Sequence, residues 1–503
     1  MTVKLRDYQR DILNKVWKLL GKTEYPRRIM VSSPTGSGKT VMFAMLSKYV
    51  QEQAGKVLIV THRKELLFQT GGTFSMVDVQ AHELTAKTRI VPEGDIVVAM
   101  IETLHNRLKN KEEYRDFLSQ FTMVVIDEGH VGSFDKLFSY IPEVVNVVAW
   151  SATPYRKGTA NALSDYYTDL VQGIDVPDLV NMGFLAKPRT LGMKIDLSRV
   201  RVDATDYNAS DMHQEYNRQQ VYAGVIKNYK KYTNGKKAIL FAASVESSMD
   251  INIKLNNAGI PSCHVDANTP DAERRRIFED YKDGRYLILC NVGIATMGFD
   301  APGIEVVILY RATKSLTLFL QMVGRGSRTT ETKKTFTVMD FGQNTDQHGF
   351  WEQPRQWTLE NDTTRFRRES NMTKECPDCA QLNSLSTSVC SNCGYIWETT
   401  RREQVEALIV ADLQDMNGFD LQLYALGKTF EELEIIKNHK GYKDAWMYHQ
   451  LESYEDLRAY GRYKGYKHGW YEYAKKSFRP KSRAQREEDI KLFKERLRAE
   501  ANI

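Results

Sequence analysis

Eight residues near the start of the chain, Ser33 to Thr40 (SPTGSGKT), place two glycines, a lysine and a hydroxyl in an order that can hold a polyphosphate. They follow the β-branched run RIMVSS and precede VMFAMLSKYV, so the sequence predicts strand, tight loop and helix, the setting a phosphate loop requires. Within Pro34, Thr35, Gly36, Ser37 and Gly38, the glycines let backbone N–H groups turn inward around phosphate oxygens. Lys39 is placed to neutralise the β- and γ-phosphates, and the Thr40 hydroxyl to bind Mg²⁺. Ser33 stands where the general pattern has glycine. Farther on, MVVIDEGH (Met123 to His130) ends another β-branched run with two adjacent carboxylates. Asp127 can reach Mg²⁺ through water and Glu128 can polarise an attacking water as general base. Alone, either stretch is also an ordinary turn or a solvated charge pair. Together they predict hydrolysis of a nucleoside triphosphate.

A second cluster has different chemistry. Cys376, Cys379, Cys390 and Cys393 form a C-x2-C-x10-C-x2-C pattern, whose two turns can complete a tetrahedron of thiolates around Zn²⁺. Four protein ligands leave no open position, so the expected zinc site is structural. Disulfides are the alternative, disfavoured in a reducing compartment. The other two cysteines, Cys263 and Cys290, lie in apolar surroundings and read as buried thiols.

The elements that must position these groups follow from periodicity. RRIMVSS, KVLIVTH, DIVVAM, MVVIDE and VVAWSAT read as buried parallel strands, and the pattern resumes with KAILFAAS, YLILCNV, EVVILYR and TFTVMDF. Two sets of alternating strands and helices predict an α/β fold of two tandem doubly wound domains with parallel sheets, at 1–188 (bearing the phosphate loop) and 189–365. A four-cysteine zinc module at 366–400 and a helical, basic and aromatic tail at 401–503 complete the expected organisation, with EQVEALIVADL and EDIKLFKERLRAE as the clearest helical pieces. At 503 residues the chain exceeds one hydrophobic core. It has no apolar run of the roughly 20 residues a membrane helix needs. Its charged start, MTVKLRDYQRD, lacks a signal-peptide pattern, so a cytoplasmic protein without membrane contact is expected.

The net charge of +6 decides little, but its distribution is uneven. Between Arg458 and Arg486 ten Lys/Arg face one acid, Glu472. Within this region KGYKDAWMYHQ (440–450) is echoed 24 residues later by KGYKHGWYEYA (464–474). Tyr442 and Trp446, or Tyr466 and Trp470, stand four apart and share a helix face, which predicts the core of a helical hairpin. Lysines around such a hairpin would face phosphates, and exposed aromatics could stack on unpaired bases. Lys464, Lys467, Trp470, Lys475 and Lys476 are therefore candidate DNA contacts.

The ordered set LRDYQ (5–9), SPTGSGKT, THRKELLFQ (61–69), DEGH, SAT (151–153), GFDAP (298–302) and QMVGRGSR (321–328) resembles superfamily 2 helicases over residues 1 to about 345. RATKSLTLFLQMVGRGSR, VMDFGQN and the following four-cysteine module are most similar to the RadD group of DNA-repair helicases and phage-encoded relatives. Gly129 departs from relatives that often carry a larger residue there. The resemblance implies that the two α/β domains are RecA-like P-loop domains, the first ATP-binding, and that Arg6, Tyr8 and Gln9 read adenine, making ATP the substrate with Mg²⁺ as cofactor. It implies that His130, Ser151 and Thr153 couple the two domains, and that Arg325 and Arg328 act as arginine fingers beside Gln321. Gly298 and Asp300 would sense nucleotide and strand together, and Arg63, Thr103 and Thr296 would touch the strand backbone. DEGH and Gln321 in place of the DEAD-box residues favour DNA over RNA. The expected activity is ATP-dependent unwinding or branch migration of single-stranded, forked or branched DNA in recombination, repair or replication, beside recombination or single-strand-binding proteins. A translocating subunit of a restriction complex and an RNA helicase are the alternatives.

Overall fold

The computed structural model describes residues 4–21, 26–62, 74–75, 77–88, 90–156, 161–203, 206–293, 303–360, 373–397, 409, 413, 424–425, 428–466, 469–480, 484–485 and 488. The chain divides into two compact units, Met1–Leu385 and Ser386–Ile503.

The first unit contains two parallel sheets. Strands β1 (Arg28–Ser32), β2 (Val57–Thr61), β3 (His82–Leu84), β4 (Ile96–Met100), β5 (Met123–Asp127), β6 (Asn146–Ser151) and β7 (Asp169–Gln172) form one sheet in the order β3-β4-β2-β5-β6-β1-β7. After β8 (Lys187–Gly192) and a hairpin of β9 (Val202–Asp203) and β10 (Asp206–Tyr207) come β11 (Ala238–Ala242), β12 (Ser262–Val265), β13 (Ile288–Asn291), β14 (Val306–Tyr310) and β15 (Thr335–Asp340). The second sheet has the order β12-β13-β11-β14-β15-β8. The expected pair of doubly wound α/β layers is what the chain forms.

Every strand the hydrophobic pattern reveals lies inside a sheet. Within these two sheets the strands it misses are β3, β7, β8 and β12, and these are their four edges. Central strands such as β2, β5, β11 and β14 are buried at every position, so they read as continuous apolar runs. An edge strand is half solvated and carries polar residues; β8 even holds Pro188, which an edge tolerates.

Helix α1 (Asp7–Leu20) packs before the first sheet, and α2 (Lys39–Glu52) follows the phosphate loop. In the second half, α3 (Leu316–Gly324) carries the residues that lead into the arginine motif; the Ser315 hydroxyl caps it by accepting from Leu318 N–H. Cys263 and Cys290 are buried, and burial pushes the Cys263 thiol up to about 12, so neither is a thiolate at neutral pH. Beyond β15, β16 (Thr373–Glu375) and β17 (Leu382–Ser384) form a small antiparallel pair. Among the described residues no helix is long and apolar enough to cross a membrane.

In the second unit, α4 (Phe430–Lys440), α5 (Asp444–Tyr448), α6 (Tyr454–Tyr463) and α7 (Trp470–Ser477) surround a core that includes Leu433, Ile436, Leu457 and Tyr460. Most of EQVEALIVADL and all but one residue of EDIKLFKERLRAE lie outside the described residues. The 24-residue repeat is longer than its sequence identity suggests. Thr429 and Ser453 each open a helix with a capping box, closed by Glu432 and Asp456 respectively. Gly441 (φ +70°) and Gly465 (φ +67°) each end that helix in the left-handed region. Tyr442 N–H then bonds Lys437 C=O at 2.9 Å, and Tyr466 N–H bonds Gly461 C=O at 3.0 Å, the same Schellman closure twice. Each copy is thus a capped helix, a glycine turn and a second helix bearing the tryptophan.

Gly461 lies beneath the Trp470 indole, where a Cβ would meet ring atom Cζ3 at 2.6 Å. Gly461→Ala should therefore destabilise this unit by about 1–3 kcal/mol through overpacking. Thermal melting followed by tryptophan fluorescence reads the shift; an unchanged transition would mean the indole has room to move away.

Candidate active site

The strand register brings the chemistry to one edge. Ser32 pairs with Ser151 and Asp127 with Trp150, so β1, β5 and β6 end together and release the phosphate loop, the acidic box and the SAT segment side by side. Ser33 N–H donates to Ser151 C=O at 2.8 Å, fastening the loop to β6. Ser33 and Ser37 join hydroxyls at 2.6 Å, so the serine in the usual glycine place ties the loop's two ends together. Gly36 (φ +87°) and Gly38 (φ +85°) supply the left-handed turns the cradle needs.

Lys39 opens α2 with its ammonium 3.3 Å from Ser33 C=O and 3.8 Å from the Glu128 carboxylate. Glu128 also lies 3.4 Å from His130 Nδ1. Its φ of +54° is left-handed, which costs about 1–2 kcal/mol for a residue other than glycine. The neighbouring backbone holds that turn: Gly129 N–H donates to Trp150 C=O at 3.0 Å, and the Tyr167 hydroxyl donates to Gly129 C=O at 3.0 Å. This explains the glycine. A Cβ at 129 would lie 2.6 Å from Ala149 Cβ and 2.8 Å from the Tyr167 hydroxyl.

The SAT segment couples to the acidic box through side chains. Ser151 Oγ accepts from Thr153 N–H at 2.9 Å and lies 2.8 Å from His130 Nδ1. Burial lowers the His130 pKa, Glu128 opposing, so the ring is neutral at pH 7. Sequence reasoning missed the residue that braces this contact. Arg156 Nε donates to His130 C=O at 2.8 Å, while its two other nitrogens bind Asp135 at 2.7 and 3.0 Å. Arg156 was within reach as the end of SATPYR; nothing in the sequence pointed to Tyr167.

Tyr8 and Gln9 both donate to Ser37 C=O, at 2.7 and 3.0 Å, and Gln9 Oε1 accepts from Arg6 N–H at 3.0 Å. The Arg6 guanidinium stands 3.8 Å over the Phe184 ring. These three residues thus stand beside the phosphate loop and support it. From the second half, Gly324 comes so close that a Cβ there would be 3.3 Å from Thr35. Ala186 N–H donates to Ser327 C=O at 2.7 Å, and Leu185 bridges Arg328. Arg325 follows α3 as its C-cap, Gln321 is buried within it, and burial lowers the Arg328 pKa without removing its charge. The arginine motif therefore abuts the phosphate loop. Thr103 lies in the helix that begins at the same carboxyl edge, after β4. Arg63, Thr296, Gly298, Asp300 and Lys467 lie outside the described residues.

Thr40, in the first turn of α2, and Asp127, at the end of β5, offer hard oxygen donors beside the Lys39–Glu128 pair, a donor set suited to Mg²⁺. The thiols of Cys376, Cys379, Cys390 and Cys393 lie within 4.8 Å of one another. Tetrahedral Zn–S bonds of about 2.3 Å require sulfur separations of roughly 3.8 Å, so the four fit zinc with small adjustments. Ala380 (φ +59°) and Gly394 (φ +78°) follow the two CxxC turns in the same left-handed conformation, as paired knuckles require.

The tail candidates differ among themselves. Lys475 and Lys476 are exposed. Lys464 instead pairs with Glu434 at 3.2 Å, and Trp470 packs on Tyr466 (centroids 4.6 Å apart) and against the unit's core. Lys464 is thus ion-paired and Trp470 half-buried, and neither is as open as Lys475 and Lys476.

The buried, neutral His130 makes a pH prediction. Below about pH 6.5 the unfolded histidine takes a proton that the native ring refuses, so stability falls with pH there and is untouched above. The slope for one such proton is at most about 1.4 kcal/mol per pH unit. Urea midpoints of the parent and His130→Gln should diverge between pH 8 and 5.5, the variant losing less; parallel curves would refute the assignment.

Residues 2–156 match the family described as type III restriction enzyme, res subunit, and residues 220–330 match the helicase conserved C-terminal domain. A 51.5 kDa protein of a Lactococcus phage is 33% identical, over 73% of this chain and 77% of its own length. The IRC3 helicase of Saccharomyces cerevisiae is 28% identical over 67% of this chain, which spans about half (51%) of the yeast protein. In fold, the chain is similar to an HsdR subunit fragment of a type I restriction enzyme from Vibrio vulnificus, with a TM-score of 0.52 and 20% identity over 73% of this chain and 66% of that one. A phosphate loop, an acidic box and an arginine motif meeting in one cleft, within this family, make the chain a member of the superfamily 2 helicases and an ATP hydrolase.

Proposed function

We propose that the protein is an ATP-driven DNA helicase or translocase that unwinds or branch-migrates forked or branched DNA in recombination, repair or replication. The observation that carries this reading is the approach of the arginine motif, from the second sheet, to Thr35 of the phosphate loop on the first. A site split in this way converts nucleotide binding into closure and hydrolysis into reopening. Lys39 binds the β- and γ-phosphates, Thr40 and Asp127 hold Mg²⁺, and Glu128 accepts a proton from the attacking water. Mg²⁺ supplies charge neutralisation when bound. Arg325 and Arg328 stabilise charge developing on the γ-phosphate, Gln321 aligning that face. Arg6, Tyr8 and Gln9 select adenine; His130, Ser151 and Thr153 pass the state of the site to the second half. Gly298 and Asp300 join nucleotide to strand, while Arg63, Thr103 and Thr296 touch the backbone. The proposed division is 1–188, 189–365, a structural zinc module at 366–400 and a DNA-gripping tail at 401–503. Cytoplasmic action beside recombination or single-strand-binding proteins completes the proposal.

A second reading is a translocating motor for a restriction complex, favoured by the res-subunit match and by an Escherichia coli type I restriction endonuclease subunit that is 23% identical over 68% of this chain. ATP hydrolysis measured with single-stranded DNA, forked DNA and RNA decides the substrate class. DNA should stimulate; stimulation by RNA alone would overturn the reading.

Lys39→Ala and Glu128→Gln should each lower turnover by at least about a hundredfold with little change in melting temperature. Retained turnover in Glu128→Gln would assign the general base elsewhere. In the tail, Lys475→Ala with Lys476→Ala should reduce the salt slope of DNA binding by about 2, whereas Lys464→Ala should lower stability and leave the slope nearly unchanged. The reverse pattern would place the phosphate contact at Lys464.

A further inference from the structure

After β15 the chain does not stay with the second sheet. Residues 344–348 form a short helix, and the following residues return to the first sheet. There the Gln172 side-chain amide, at the end of β7, donates to Arg355 C=O at 3.0 Å. Ser164 N–H donates to Leu359 C=O at 3.1 Å, and Leu359 packs on the first sheet's core. The two sheets are therefore joined once by the segment entering β8 and again by residues 349–360.

On its way this segment grips α3. The Trp351 indole N–H donates to Leu320 C=O at 3.2 Å, and its ring meets Phe336 edge-on at 5.9 Å. His348 stacks on Phe319 at 5.4 Å, and its Nε2 lies 2.8 Å from Thr313 C=O in the turn that precedes α3. Asn344 holds the same turn, accepting from Thr313 N–H at 2.9 Å and donating to Arg311 C=O at 2.8 Å. Asp206, reaching from the β9–β10 hairpin, accepts from the Thr313 hydroxyl and from Lys314 N–H, both at 2.7 Å. The segment's own shape is fixed by Arg355, whose guanidinium donates to the carbonyls of His348, Phe350, Trp351 and Gln353. A small cavity separates Trp351, Arg355 and Trp357 from Pro34 and Thr35 of the phosphate loop.

We propose that residues 344–360 are a strap that sets the position of the arginine-bearing helix against the phosphate loop, with Gln172 and Trp351 as positioning residues for ATP hydrolysis. The strap is anchored on the first sheet by Gln172 and Ser164 and holds the helix through Trp351 and His348. Movement of α3 relative to Thr35 is then limited to rotations that both crossings allow. This rests on the assignment of Arg325 and Arg328 to the γ-phosphate.

Steady-state ATP hydrolysis by the full chain, with saturating DNA, tests it in three variants. Trp351→Phe keeps an aromatic ring but deletes the N–H together with the rest of the indole; Gln172→Ala removes the anchor on β7. Each should lower kcat by about tenfold while KM for ATP stays within about twofold and the melting temperature within about 2 °C, the signature of a misplaced catalytic group. The proposal is overturned if kcat stays within about twofold of the parent in both, or if it falls only in proportion to lost folded protein. An Arg325→Ala, Arg328→Ala double variant is the third arm. If that protein keeps the parent kcat, the arginine assignment itself is wrong and the strap proposal falls with it.

Discussion

The register between three parallel strands is the constraint from which the rest follows. Ser32 lies opposite Ser151, and Asp127 opposite Trp150. Side chains alternate along a strand, so a slip of one residue would turn Asp127 to the other face of the sheet and carry Glu128 out of reach of Lys39. Close packing of differently sized side chains on both faces of these buried strands opposes the slip. The catalytic arrangement is therefore maintained by apolar contacts of Val124, Val125, Ile126, Val147 and Val148, all fully buried in the sheet's core.

The second half of the site depends on small size at one point. Gly324 and Gly36 allow the arginine helix and the entry to β8 to approach the phosphate loop, Thr35 and Leu185 filling the space any side chain would need. Close approach matters because charges at Lys39, Glu128 and the arginines act strongly only where water is excluded. His130 shows the same physics from the other side. The burial that strengthens those interactions also keeps its ring neutral, so it serves as a hydrogen-bonding link to Ser151 and adds no cation beside Lys39.

What could be read from the sequence followed burial. Central strands and the phosphate loop were legible because continuous apolar runs and a glycine–lysine–threonine order have few other causes. Edge strands β3, β7, β8 and β12 were not, since they are short or interrupted by polar residues and their composition resembles loops. In the site, residues that belong to a spaced motif were found, while Tyr167 and Asp135 were not, because each acts through one contact made by the fold. The segment from 344 to 360 has neither period. Its order comes from one guanidinium satisfied by four carbonyls, an arrangement that leaves no pattern along the chain.

The repeated tail segment shows how far sequence identity can mislead about role. Both copies keep the cap, the left-handed glycine and the tyrosine–tryptophan pair, which are the features that close a helix and start the next. What differs is charge. Glu434 in the first copy corresponds to Arg458 in the second. Burial would raise the Glu434 pKa, but the Tyr460 hydroxyl and the ammonium groups of Lys437 and Lys464 outweigh it and hold the carboxylate below its ordinary range. The second copy's turn lysine is thereby consumed in joining the two copies. Lys440, its counterpart, donates to Leu413 C=O instead, and Arg458 stacks 4.5 Å over Tyr471. The shared letters of the repeat thus build the unit, and exposed cations able to meet a phosphate backbone include the unrepeated Lys475 and Lys476 at its end.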